Sequence, residues 1–483
     1  MEKPSPSTLI DSAALEYRRL RQAHWDAQAR RDSQHGWGRL YHRRLQRVYR
    51  FLVSPGQCIL EVGCSEGDLL AALKPSEGMG VDFSAEMIQR AAKRHPELRF
   101  IQADAHDLGA LDGQFDVIIL SDAVNDLWDV QAVLEQVQRL SGPRTRLILN
   151  YYSHLWEFPL SLAQRLGLAT SRLDQNWLTN EDLANLLYLA GFEVLRCWQE
   201  MLWPLPFLLL EPLCNRFLVR LWPFKDIALS NLVIARLQMV CPEMQMSVSV
   251  VVPARNEAGN IPAIFERLPE MGGGTELIFV EGHSRDDTAA VIEREIARHP
   301  ERCCQFLRQT GTGKADAVRL GFAHATGDIL MILDADLTVS PEDLPRFYTA
   351  LVSNKGEFIN GVRLVYPMER QAMRSFNLLG NKFFSLAFSW LLGQPLKDTL
   401  CGTKALWRSD YEKIAANRAY FGDFDPFGDF DLLFGAAKLN LKITDLPIRY
   451  RERTYGTTNI QRWKHGMLLL KMVWFAARRL KFI

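Results

Sequence analysis

Asp334 and Asp336, separated only by Ala335, close the apolar run Ile329-Leu330-Met331-Ile332-Leu333. The run has no helical period and is β-branched at Ile329 and Ile332, which predicts a short buried strand with two carboxylates at its carboxyl end. Two hard oxygen donors there suit Mg or Mn holding a diphosphate, because such ions keep waters and complete their shell with substrate phosphates. The competing reading is an Asp pair that caps the next turn. A second constellation begins at Leu60-Glu61-Val62-Gly63-Cys64-Ser65-Glu66-Gly67. A glycine-containing turn between strand and helix lets backbone approach a ligand closely and aims helix amides at it. Asp82 lies about twenty residues later, at a predicted strand end where a carboxylate accepts from both hydroxyls of a ribose. Asp104 ends a third predicted strand, where an adenine edge is readable.

These residues need sheets to hold them. A chain of 483 residues, 48% hydrophobic and 23% charged, predicts two cores. A net charge of +1 argues against nucleic acid as a partner. Eight cysteines without a Cys-x-x-Cys pair fit neither a disulfide framework nor a zinc site, so a reducing, cytoplasmic setting is expected. The polar amino terminus and the lack of about 18 consecutive apolar residues predict neither a signal peptide nor a spanning helix.

Residues 1–40 read as a basic helical extension that covers the edge of the neighbouring domain. Residues 41–237 alternate strand and helix from Cys58 onward, which predicts a doubly wound parallel sheet completed by late strands near 192–199 and 228–236. A linker is expected at 238–246, which contains Pro242. A second α/β unit then runs over 247–459, and an amphipathic helix over 460–483. The fold class is therefore α/β in two domains.

The first unit resembles a class I S-adenosylmethionine-dependent methyltransferase, with a Rossmann-like sheet, from about Tyr41 to Leu237. The resemblance implies that Glu61 faces the methionyl and ribose side of the cofactor, that Gly63, Ser65 and Gly67 give it room, that Asp82 binds the ribose and that Asp104 lies near adenine. Ser65 stands where a second glycine is usual. The acceptor side is expected near Ser121-Asp122, with Asp122, His106 and His154 as candidate bases if the acceptor must lose a proton; each is also readable as a cap or a hydrogen-bonded loop residue.

In the second unit, Val252-Pro253-Ala254-Arg255-Asn256-Glu257, Val280-Glu281, Gly311-Thr312-Gly313-Lys314, Asp334-Ala335-Asp336, Asn360-Gly361-Val362-Arg363, Asp398 to Lys404, Gly428-Asp429-Phe430-Asp431 and Arg449 to Arg453 succeed one another. In this order they resemble inverting family 2 glycosyltransferases of GT-A fold, more narrowly the polyprenyl-phosphate sugar synthases. The resemblance implies a nucleotide-sugar donor held by Pro253, Asn256, Glu257, Glu281, Lys314 and Asp334, with the metal on Asp334 and Asp336. Glu281-Gly282 departs from a usual Asp-Asp pair, and Thr338 from a frequent glutamine. A polyprenyl phosphate is the expected acceptor, clamped by cations among Arg363, Lys404, Arg449, Arg451 and Arg453; a glycan hydroxyl would instead call on Asp429 or Asp431 as base.

Residues 376–392 set Asn377, Asn381, Ser385 and Ser389 on one stripe and Phe383, Leu386 and Trp390 opposite. Ile460, Trp463, Met467, Leu470 and Trp474 form another apolar face, with Lys464, Lys471 and Arg478 expected opposite. With the resemblance, both helices are expected to lie at a membrane surface, as peripheral contacts on its cytoplasmic face. The expected activity is bifunctional; the alternative is transfer to a cell-surface glycan or small molecule, with the first unit a scaffold or cofactor sensor.

Overall fold

The computed structural model describes residues 6–30, 38–165, 173–205, 210–238, 245–366, 375–420, 430–451, 453, 455 and 462–482. The chain divides into two compact units, the first made of Met1–Met239 with Phe482–Ile483 and the second of Val240–Lys481. Most of the expected linker lies outside the described residues.

The first unit is built on β1 (Cys58–Val62), β2 (Glu77–Asp82), β3 (Arg99–Gln102), β4 (Phe115–Ser121), β5 (Ser141–Tyr152), β6 (Phe192–Glu200) and β7 (Ser230–Leu237), in the order β3-β2-β1-β4-β5-β7-β6. Ile59, Leu60, Ile118, Ile119, Leu147 and Leu149 are fully buried. Burial on both faces is why these strands read as continuous apolar runs and not as alternating ones. The expectation of an all-parallel sheet needs correction at its end. β7 runs antiparallel to both β5 and β6. Residues 201–229 link β6 to β7 as a hairpin, and only a crossover connection would have made that pair parallel.

The amino-terminal helix, Pro6–Arg30, does not cover a sheet edge. Its Arg18 lies 3.2 Å from Asp104, Asp26 accepts from the Ser84 hydroxyl, Gln22 donates to the Phe83 carbonyl and Arg21 Nε donates to the Asp126 carbonyl at 3.0 Å. The helix therefore crosses the loops at the carboxyl ends of β2, β3 and β4. The next helix, Gly38–Leu52, buries Tyr41, Arg44, Leu45, Val48 and Tyr49 in the domain core.

The second unit contains β8 (Val248–Ala254), β9 (Thr275–Glu281), β10 (Cys303–Arg308), β11 (Ile329–Ile332), β12 (Phe358–Val362), β13 (Lys404–Trp407) and β14 (Ile443–Pro447), in the order β10-β9-β8-β11-β13-β12-β14. β8 to β11 are parallel, and β11 has no exposed residue. β13 enters antiparallel to β11 with Lys404 opposite Ile332. That reversal carries Cys401, Gly402 and Thr403 to the carboxyl end of β11, beside the Asp-x-Asp pair.

Candidate active sites

The turn after β1 has Gly63, Ser65 and Gly67 all at positive φ. At Gly67 a side chain is also excluded by space, since a Cβ would fall 2.6 Å from the Phe100 ring. Ser65 holds φ 48° without glycine's freedom, a conformation that costs about 1–2 kcal/mol for a residue with a Cβ. Its N–H donates to Asp82 Oδ2 at 2.9 Å, and Ser84 N–H donates to Asp82 Oδ1 at the same distance. Asp82 is thus fixed at the β2 end by two backbone donors, with its remaining lone pairs available to a diol. Burial raises its carboxyl above the ordinary range, against those hydrogen bonds.

Glu61 is 3% exposed, and burial pushes its carboxyl up to about 8 despite a backbone hydrogen bond from Leu70. Its Oε2 is buried without a hydrogen-bond partner. A buried acceptor left unsatisfied is costly, and a ligand donor or cation removes that cost. The orphaned oxygen, the strained turn and the Asp82 fork fit a ribose-bearing, cationic cofactor such as S-adenosylmethionine.

Asp104 is engaged from several sides: by the His106 N–H at 2.9 Å, His106 Nδ1 at 2.7 Å and Arg18 at 3.2 Å. Burial opposes its ionisation, but these partners hold the carboxyl below its usual range. His106 Nε2 accepts from the Asp129 N–H at 3.2 Å, which leaves the ring proton on Nδ1, facing Asp104. His106 is therefore a positioning group and not an unengaged base. Asp122 is similarly held: Tyr41 Oη and Asn150 Nδ2 each donate to its Oδ1 at 2.6 Å. Neither Tyr41 nor Asn150 stands out in the sequence. His154 is exposed.

In the second unit Lys314 Nζ lies 2.5 Å from Asp334 Oδ1. Burial works against ionisation of Asp334, yet Lys314, with Lys404 and Arg363 further off, keeps its carboxyl below the ordinary range. Asp336 Oδ1 accepts from the Thr338 N–H and hydroxyl at 3.1 and 2.8 Å, and Oδ2 accepts from Arg453 at 3.0 Å. Arg453 also lies 3.1 Å from Glu257. Burial pushes the Glu257 carboxyl up to about 7, with Arg453 pulling the other way. The donor set fits Mg or Mn: two carboxylates alone leave most of a hard cation's shell for water and substrate phosphates. Among the described residues no cluster of three or more His, Cys, Asp or Glu offers a closed protein cage instead.

Gly402 is inconspicuous within its sequence motif, but a Cβ there would sit 2.1 Å from both Asp334 Oδ2 and Lys314 Nζ. The available signal is a glycine in a segment that must pass the Asp334-x-Asp336 pair. Around the donor strand ends, Pro253 and Ala254 pair with Val280 and Glu281 across β8 and β9. Asn256, at φ 57°, accepts from the Arg285 N–H at 2.7 Å, and Glu281 accepts from the Ser284 N–H. Asp286, equally inconspicuous in the sequence, accepts from the Thr288 N–H at 3.1 Å and from Tyr455 Oη at 3.5 Å.

The expected five-cation clamp separates into different roles. Arg363 is locked by Asp398 through two side-chain contacts of 2.7 and 2.9 Å, and Asp398 is 1% exposed. Lys404 is fully buried and donates to the Cys401 carbonyl. These two are internal counter-charges and not an open clamp. Arg453 bridges Glu257 and Asp336. Arg449 and Arg451 are exposed, and the Arg451 N–H donates to the Thr338 carbonyl at 2.9 Å, which seats Arg451 beside the Asp336 loop. Asp431 is buried between Arg319 at 3.0 Å and Arg418 at 2.9 Å, a setting unsuited to a proton acceptor. Asp429 lies outside the described residues. Arg363→Ala is expected to lower the second unit's stability by about 3–5 kcal/mol, because Asp398 is left as a buried unpaired charge. Denaturant unfolding reads the loss, and Arg363→Lys, which keeps a positive charge beside Asp398, should lose less.

Two strand-end sites, one in each unit, gather carboxylates at the carboxyl ends of β1 and β2 and of β11. Residues 54–191 match the family model of a methyltransferase domain, and residues 249–414 match that of glycosyl transferase family 2. The chain thus carries a methyltransferase domain followed by a family 2 glycosyltransferase domain. It is similar to an undecaprenyl-phosphate 4-deoxy-4-formamido-L-arabinose transferase of Shewanella sediminis, at 33% identity over 102 residues, 20% of this chain and 31% of that protein. The protein of the same description from Salmonella paratyphi B is 27% identical over 215 residues, 43% of this chain and 61% of the relative. A mannosyltransferase from Pyrobaculum calidifontis, solved with GDP-Man and Mn2+, aligns with a TM-score of 0.37 and 21% identity over 50% of this chain and 66% of that one. The chain spans between 31% and 61% of the length of the two curated relatives.

Proposed function

We infer that the second unit transfers a sugar from a nucleotide-sugar to the phosphate of a polyprenyl lipid at a membrane surface, and that the first binds S-adenosylmethionine and transfers its methyl group. The Asp334–Lys314 and Asp336–Arg453 pairs carry the first half of this reading. Carboxylates and balancing cations gathered at the carboxyl end of a buried strand support a diphosphate-binding metal site. The curated relatives, described as undecaprenyl-phosphate sugar transferases, support the lipid acceptor.

A divalent ion held by Asp334 and Asp336 would neutralise the departing nucleoside diphosphate. Lys314 adds positive charge at the same place, and Arg453 orients Asp336. An acceptor phosphate is already ionised and attacks the anomeric carbon as the diphosphate leaves, so no strong base is called for. That agrees with Asp431 being engaged by Arg319 and Arg418. Arg451 and Arg449 are the exposed cations available to the acceptor phosphate.

Membrane contact is supported by the two helices flanking the carboxyl end of this unit. Among the described residues no helix is long and apolar enough to cross a membrane. In the helix Ser375–Leu392 the polar stripe turns inward, where Ser385 and Ser389 donate to the Leu396 carbonyl at 2.6 and 3.0 Å. Phe383, Leu386 and Trp390 are 55%, 73% and 40% exposed. In the helix Arg462–Ala476, Met467, Leu470 and Trp474 are likewise exposed. Lys471 is exposed, and Arg478 lies 5.7 Å over the Trp474 ring. The basic residues flank this apolar face and do not oppose it, the arrangement that suits a headgroup boundary. Ile460 lies outside the described residues, as do the side chains of Asn377, Trp463 and Lys464. A peripheral position on the cytoplasmic face is part of this reading.

The occupied states of Asp122 and His106 favour, for the first unit, either an acceptor that needs no base or a cofactor-sensing role; methyl transfer assayed beside cofactor binding separates them. The lipid-linked reaction is tested by incubating the purified chain with Mn or Mg, a short polyprenyl phosphate and a panel of nucleotide sugars. Sugar is expected to enter the organic phase and to stop doing so with Asp336→Ala. Transfer to a soluble glycan without lipid would sink the acceptor assignment.

A further inference from the structure

Between β6 and β7, residues 201–205 and 210–229 are described, and the second stretch forms short helical turns. Glu200 and Ser230 face each other across the β6–β7 pair, so residues 201–229 leave and return at one point. Ser230 also pairs with Tyr152 at the carboxyl end of β5, and Asn150 of β5 pairs with Ser121 at the end of β4. The segment thus rises from the rim that holds the cofactor turn and Asp122.

One side of it is fastened by buried polar groups. Asn215 accepts from the Trp203 N–H at 2.7 Å and donates to the Trp203 carbonyl at 2.8 Å. Arg220 is buried against Glu200 and donates to the Gln199 carbonyl at 3.0 Å; Arg44 meets Glu200 from the other side at 3.0 Å. Cys214 and Val219 complete this inner face. The other side is apolar: Leu213, Trp222 and Ile227 are 48%, 77% and 55% exposed, and Phe217, 43% exposed, packs its ring 5.2 Å from that of Phe482. The helix Glu157–Arg165 buries none of its residues, and its Phe158 is 76% exposed. Trp156 Nε1 donates to the Ile227 carbonyl at 3.0 Å, which joins the two segments. So anchored an inner face, with so apolar an outer one, is not scattered surface hydrophobicity.

We propose that this apolar rim docks the methyltransferase unit on a phospholipid surface, so that its methyl acceptor is an amphiphile presented from the bilayer. The chemistry favours lipid: tryptophan and bulky aliphatics lie beside the exposed cations Arg165 and Arg216 and the half-buried Lys225, a composition suited to the headgroup boundary. The nearby acids are Glu157, Glu211 and Asp226, the last 3.9 Å from Lys225. The lipid contact is independent of Phe383, Leu386 and Trp474; the acceptor class rests on the methyltransferase reading above.

The test is flotation of the full chain with vesicles of equal phosphatidylcholine and phosphatidylglycerol, with hydrogen exchange of residues 210–227. A Leu386→Glu, Trp474→Glu background should still bind. Adding Leu213→Glu and Trp222→Glu should reduce binding about tenfold or more, with the melting profile preserved. Vesicles should slow exchange in 210–227 of the background protein. Unchanged binding after the second pair, or unchanged exchange, overturns the proposal. Loss of all binding in the background alone overturns it while sustaining the second unit's membrane contact. A self-association that the second pair abolishes, with vesicle binding intact, assigns the face to a second copy and also overturns it. Restored exchange in the four-residue variant, at unaltered melting, excludes simple misfolding.

Discussion

Asp334→Asn is expected to lower sugar transfer by about 10²–10³-fold or more, the scale on which removing one preorganised electrostatic group from a transfer site is felt. The substitution keeps the side chain's size and removes its charge. Lys314, 2.5 Å away, then loses its counter-ion, and a cation held by Asp334 and Asp336 would lose one of two carboxylates. Gly402→Ala is the companion, because it changes no ionisable group. Its Cβ would occupy the space 2.1 Å from both Asp334 Oδ2 and Lys314 Nζ, so one of the two must move. Single-turnover transfer and manganese-dependent donor binding, measured on both variants, should fall together. Wild-type rates in Gly402→Ala would show that this arrangement is not the one used in transfer.

The second large effect is a pH dependence seated on Glu61. In the unfolded chain this carboxyl titrates near 4.5, whereas burial holds it at about 8 in the folded, ligand-free protein. Below the unfolded value both states are protonated and the stabilising difference is fully present. As pH rises toward 8 the unfolded state releases its proton first, so the first unit loses stability, and the loss levels off once both states are ionised. Glu61→Gln cannot titrate, and by pH 8 it should exceed the wild type by on the order of a few kcal/mol in the first unit's transition. A cationic cofactor beside Glu61 reverses the balance by favouring the carboxylate. Binding of S-adenosylmethionine should then release a proton below pH 8, tighten as pH rises toward 8, and lose both properties in Glu61→Gln. Calorimetry in two buffers of different ionisation enthalpy reads this directly; identical heats would exclude release of a Glu61 proton on binding.

Much of the site framework is legible along the chain because strand ends are local. An apolar β-branched run that stops at acids, or a glycine turn before a helix, concentrates its signal in a few consecutive residues. Asp82 and the Asp334-x-Asp336 pair are placed by such runs. Partners far away in sequence are not legible. Tyr41 reaches Asp122 from the second helix, Lys314 reaches Asp334 from the helix after β10, and Arg319 and Arg418 converge on Asp431 from separate helices. These pairings arise only when helices pack on a sheet, and side-chain type does not encode them.

The sequence by itself determined two α/β units, the order of the strands that carry chemistry and the charge type at each strand end, because burial and turn chemistry act over short stretches. Tertiary structure decided which charges remain available. Topology did this for β13, whose reversal brings Gly402 to Asp334 and sinks Lys404 into the interior. Burial did it for Arg363, which must find Asp398 once it leaves water. It also turned the Ser385–Ser389 stripe inward and left Leu386 outside. An amphipathic period reports two faces, and only packing against a neighbour selects the one that meets solvent.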